Sequence, residues 1–210
     1  MSEVYNPLDK INLGKSVADA LLSQPVHPLG AIPSFEGAGI YVLYYRGPFP
    51  AYAPIAEANA DEPRWPIYIG KAIPSGSRRG ASLSASARGT HLYRRLMEHR
   101  DSVRDAENGS GTLAVADFQV RYLTVDDIWI PLGESLLITN FRPIWNRVLD
   151  GFGNHDPGSG RYNGLMPLWD HLHPGRGWAT RCAARAETDA DIITRIAEYF
   201  ATHPFKAQLP

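Results

Sequence analysis

Gly39-Ile40-Tyr41-Val42-Leu43-Tyr44-Tyr45 and Pro66-Ile67-Tyr68-Ile69-Gly70-Lys71 are the two runs on which the fold turns. Both are short, apolar and rich in β-formers, so they read as strands, over about 38–46 and 66–71. Side chains alternate between the faces of a strand. Ile40 and Val42 therefore share one face and Tyr41 takes the other, while Ile67 and Ile69 lie opposite Tyr68. Pairing the strands with their aliphatic faces toward the core puts the two phenols side by side on the opposite face. Such a pair is either a cross-strand aromatic stabiliser or a site.

Two hundred and ten residues suit one domain with elaborations or two small ones. A hydrophobic share of 44% against 20% charged residues fits a soluble globular chain, and no run approaches the ~18 apolar residues of a membrane span. The first residues, Met1-Ser2-Glu3-Val4-Tyr5, lack a signal layout, so a cytoplasmic protein is expected. Cys182 is the single cysteine, which excludes internal disulfides and cysteine-rich zinc sites. The net charge of −1 argues mildly against nucleic acid, but its distribution matters more. Lys71, Arg78, Arg79, Arg88, Arg94, Arg95, Arg100 and Arg104 face only Glu98 and Asp101 within 71–104, a local balance of +6. That tract is either a phosphate-neutralising surface or a solvated face.

Around the two strands the chain divides into an N-terminal helical arm over 1–35, a core over 36–150 with an insertion at 46–66, and a loop with a last helix over 151–210. The arm carries an amphipathic helix near Leu13–Leu22 and reads as a packing or dimerisation element. The small and basic residues of 74–90 read as a loop able to place Arg78 and Arg79 on a phosphate backbone. Thr90 caps a helix to about Asp105 whose stripe is Leu92, Leu96 and Val103, with Arg95 and His99 bordering it. Val115–Val125 alternates as a third strand with one polar face. Leu132–Phe141, with Pro131 in its first turn, is apolar nearly all round and should be buried. Glu134 projects from it, and a carboxylate there needs an ion-pair partner or a cation. It is the best metal-ligand candidate in the chain. Asn146 follows Pro143 and either caps or orients a neighbour. Asn154, His155 and Arg161 lie in a polar turn-rich loop suited to reading base edges, and Trp169, His171, His173, Arg176, Trp178 and Arg181 continue the pattern.

Gly39-Ile40-Tyr41, Tyr68-Ile69-Gly70, helical Arg95 and His99, Glu134 and Asn146 together resemble, in order, the signature of the GIY-YIG nuclease superfamily. The resemblance implies an α+β fold with a small three-stranded antiparallel sheet flanked by helices. The long insertion and the 151–176 loop look like the type II restriction branch that cuts CCGCGG as a homodimer. A restriction-modification system of that kind includes a cognate methyltransferase acting on the same double-stranded DNA site. The family's roles, carried to this sequence, make Tyr41 the general base with His99 as its partner. Arg95 stabilises phosphate charge, Glu134 holds a single Mg²⁺, Tyr68 and Lys71 position phosphate or water, and Asn146 orients neighbours. A phenol of pKa ~10 needs lowering by nearby positive charge, or a relay. The competing class is a non-catalytic DNA-binding protein of the same fold, against which the retention of all six positions argues.

Overall fold

In a computed structural model of the chain, residues 6, 8–73, 89–156, 158 and 162–206 are described. Their principal elements, in order, are α1 (Lys10–Leu22), β1 (His27–Pro28), β2 (Gly39–Tyr45), α2 (Ala53–Ala58), β3 (Pro66–Ala72), α3 (His91–Gly109), β4 (Phe118–Thr124), α4 (Ile130–Phe141), α5 (Ile144–Arg147), α6 (Leu168–Leu172) and α7 (Asp189–Thr202). The sheet order is β1-β4-β2-β3 with every pairing antiparallel. The three-stranded core expected from the sequence is present, and the two-residue β1 extends it by a fourth strand on β4. Among the described residues no helix is long and apolar enough to cross a membrane.

β2 is paired on both sides and every one of its residues is buried. Its alternation sends Ile40, Val42 and Tyr44 into one core, beneath α1 and α4, and Tyr41, Leu43 and Tyr45 into the other, with residues of α3, α5 and α6. The face carrying Tyr41 is therefore not open, as a sheet with one aliphatic face implied. Helices cover both sides, so the phenol lies inside a layer. The polar face expected for β4 is half-buried. Arg121 donates to the Tyr44 hydroxyl at 2.9 Å and to the carbonyls of Gln24 and Pro63 at 3.0 and 2.8 Å.

The arm packs on its own chain. Cβ atoms placed on Gly14 of α1 and Gly133 of α4 would lie 3.3 Å from Leu132 Cγ and 2.6 Å from Val17 Cγ1, so the two helices meet through absent side chains. α4 is only half enclosed, with Ile130, Gly133 and Leu137 buried. The all-round burial suggested by its composition does not occur, because α1 and the sheet cover one side only. α4 ends at Arg142, a left-handed residue at φ 46° before Pro143. The insertion is ordered. Asn59, fully buried, donates to the carbonyls of Tyr45 and Trp65 and accepts from the amides of Arg64 and Trp65. Thr188 caps α7 with a capping box to Asp191.

The tight α1–α4 crossing gives a direct expectation. Gly133→Ala gains helix propensity but drives a methyl into a stiff β-branched side chain, and overpacking costs about 1–3 kcal/mol. Thermal unfolding should shift down by roughly 2–4 °C per kcal/mol for a chain of this size. An unchanged or raised midpoint would show that the helices separate freely.

Candidate active site

Tyr41 and Tyr68 come from paired strands, and their rings lie on the α3 side with centroids 6.2 Å apart. Gly70 stands opposite Tyr41 in the register, and a Cβ there would fall 2.3 Å from the Tyr41 hydroxyl. The glycine of the second motif thus makes room for the phenol of the first. The Tyr41 hydroxyl makes a short hydrogen bond with His99 Nε2, inside the protein. His99 is 1% exposed. It sits in the buried seam of α3, not at its rim, because Leu92, Leu96, His99 and Val103 recur at spacings of four, three and four. Phe152 stacks on the imidazole at 4.4 Å and 15°.

Charge states follow from burial. Desolvation, then the nearby Arg95, Arg176 and His155, push His99 well below 6.5, so the ring is neutral and can accept. Burial raises Tyr41 well above 10, Tyr68 and Glu134 add to this, and Arg95 only partly offsets it. Tyr68 is raised by burial as well, against Arg95. The expectation that positive charge lowers the Tyr41 phenol does not hold for the free protein, because desolvation is the larger effect. With Tyr41 neutral its hydroxyl donates, which leaves the proton of His99 on Nδ1.

Arg95, one turn from His99 on α3, donates through Nη2 to the Gly153 carbonyl at 2.6 Å and through Nη1 to Glu98 at 3.0 Å. The same Nη1 meets the ring of His155, which is exposed. A Cβ on Gly153 would lie 2.6 Å from the Tyr68 hydroxyl, so the loop backbone rests directly over that phenol. Asn146, in α5, accepts from the Ile69 amide at 2.8 Å and donates to the Ile69 carbonyl at 2.9 Å. β3 is an edge strand, and this side-chain amide supplies the partner its outer edge lacks.

Glu134 reaches the site from the opposite layer. Its Oε2 lies 2.6 Å from Lys71 Nζ, which projects from the same face of β3 as Ile69. The ion-pair partner that the sequence left open is Lys71, on the motif strand. The Glu134 charge acts on both phenols. Among the described residues no group of three or more His, Cys, Asp and Glu could hold a metal ion. A lone carboxylate, 17% exposed and otherwise balanced by an ammonium, does not suit zinc but fits Mg²⁺. That ion keeps several waters and takes few protein ligands beside a phosphate.

Of the DNA-contact candidates, Asn154 and His155 are exposed beside Arg95, and Lys71 is half-buried. Arg78, Arg79 and Arg161 lie outside the described residues. Trp169, His173 and Arg176 are buried and cannot read bases. His173 instead joins the Tyr52 hydroxyl at 2.7 Å and Thr112 at 2.9 Å within the core. Phe152 and the Gly153 carbonyl were missed as site elements. A turn-rich stretch announces a loop but not which way it folds.

No curated protein matches the chain. A family model described as the Eco29kI GIY-YIG domain matches residues 33–200.

Two buried neutral histidines make stability acid-sensitive. His99 is held well below 6.5 and His173 at about 3. As pH falls below 6.5 the unfolded chain binds protons that the native chain refuses. Stability is therefore complete above that value and is lost at up to ~1.4 kcal/mol per pH unit per group. Urea unfolding should show a lower midpoint at pH 5.5 than at 7.5, and His99→Gln should shrink the difference. Equal midpoints at both pH values would mean the rings are not held neutral.

Proposed function

The chain belongs to the Eco29kI GIY-YIG family of restriction endonucleases, and from that premise we propose a type II enzyme that hydrolyses double-stranded DNA at a palindrome, CCGCGG. The observation that carries the catalytic reading is the buried Tyr41–His99 hydrogen bond with Arg95 alongside. Water attacks phosphorus and loses its proton to the Tyr41 oxygen while Tyr41 passes its own proton to His99 Nε2. The phosphorus–oxygen bond to the leaving group breaks, and that oxygen takes a proton from solvent. Tyr41 ends neutral, so no phenolate is required.

Arg95 holds the negative charge that grows on the phosphate, with His155 yielding the exposed side of the guanidinium. Tyr68 and Lys71 place phosphate and water. Asn146 keeps the strand that bears them straight. Glu134 would hold one Mg²⁺, which supplies Lewis-acid polarisation of the phosphate and leaving oxygens. A palindrome calls for a two-fold dimer in which each subunit cuts one strand. A methyltransferase acting on the same sequence would protect host DNA.

Plasmid incubated with Mg²⁺ should give discrete fragments whose ends map to CCGCGG. Tyr41→Phe, Arg95→Ala and Glu134→Ala should each lower kcat by about 10²–10³-fold. Near wild-type cutting by these variants would overturn the site assignment. A smear would indicate an unspecific nuclease, and a band shift without cleavage a binding module.

A further inference from the structure

Arg176 and Asp170 form an ion pair with side chains 3% and 1% exposed. Nε and Nη2 donate to the two carboxylate oxygens at 2.6 and 2.5 Å. Nη2 also donates to the Gly151 carbonyl at 2.9 Å, and Nη1 donates to those of Phe152 and Asn154 at 3.2 and 3.0 Å. All five N–H groups of the guanidinium are therefore used. Its flat faces lie against Trp169 and Trp178, at 4.7 and 4.8 Å from the ring centres. The segment that carries it is seated on α3, since a Cβ on Gly175 would fall 2.1 Å from the Asp105 carbonyl.

A buried pair often contributes no more stability than apolar residues of the same volume. What this pair does do is fix three carbonyls of one short loop. That loop delivers Phe152 onto His99 and the Gly153 carbonyl onto Arg95. His155, just beyond the last anchored carbonyl, is left exposed. We propose that Arg176 is a positioning residue of the nuclease site. It holds residues 151–154 so that Phe152 fixes the His99 ring and Gly153 fixes the Arg95 guanidinium. The consequence for rate rests on the nuclease reading, whereas the consequence for ring geometry does not.

A lysine keeps the charge but has no planar fork to span a carboxylate and three carbonyls. Arg176→Lys therefore separates charge from positioning, and the paired change Arg176→Met with Asp170→Leu removes both charges without stranding one. The first readout is the ring-proton NMR signal of His99, identified by its loss in His99→Gln. In the wild type, stacking on Phe152 shifts it upfield, and both variants should return it toward an unstacked position. The second is plasmid cleavage with Mg²⁺, where kcat should fall by about 10²-fold and KM by much less, as a displaced catalytic group requires. A lysine variant that retains the upfield signal and cuts within a few-fold of wild type would overturn the proposal. Wild-type protein that cuts no plasmid would count against the nuclease reading alone, and the ring-proton signal would still decide whether Arg176 positions Phe152.

Discussion

The hydrogen bond from the Tyr41 hydroxyl to His99 Nε2 joins the central strand to the helix packed across it, and it is buried in the free protein. Its two ends come from elements that must each be placed correctly. Strand β2 is fixed by neighbours on both edges. Helix α3 is fixed by a seam in which His99 occupies a core position. A buried imidazole and a buried phenol are each costly alone, since an unmet polar group in the interior costs about 1–3 kcal/mol. Paired, they satisfy one another. The interaction therefore ties sheet to helix and, with Tyr41 neutral, fixes the tautomer of the His99 ring.

The other parts of the site answer the difficulties of building it at a sheet edge. β3 carries Tyr68 and Lys71 but has a free outer edge, and Asn146 closes it through the Ile69 amide and carbonyl. The α3 side of the sheet needs cover that still leaves Arg95 reachable. The loop from Gly151 supplies that cover, and its anchored part ends just before exposed His155. Anchored and exposed residues lie side by side in it. On the proposed nuclease reading, that suits a guanidinium preorganised yet open to a phosphate.

The two motif strands and the helices bearing Arg95 and Glu134 were legible in the sequence, because period and motif order are local signals, whereas the partnership of Tyr41 with His99 was implied by the family resemblance. The seating of His99 was misread as bordering the stripe, because a polar residue reads first as rim although positions 92, 96, 99 and 103 follow a seam. Lys71 as the partner of Glu134 was not legible. It depends on which face of an edge strand meets which helix, a tertiary fact. The buried fates of Trp169, His173 and Arg176 were hidden for the same reason. Aromatic and basic residues clustered in a loop have one composition whether they face a ligand or fold back on the core.

The electrostatics of the site also suggest why such a pair would stay idle without substrate. Arg95, Arg176 and His155 all press His99 toward its neutral form, on top of burial. A proton arriving there is disfavoured while the guanidiniums of Arg95 and Arg176 lie nearby. A phosphodiester at Arg95 brings a negative charge beside the nearest of them and offsets its effect on the imidazole. On the proposed nuclease reading, proton uptake by His99 then becomes easier as water attacks. Tyr41 is spared ionisation throughout, because it gives up one proton as it takes another, and its raised pKa is no obstacle. On the nuclease reading, the desolvation that makes Tyr41 a poor phenolate is what makes it a good relay. The substrate's own charge completes the base.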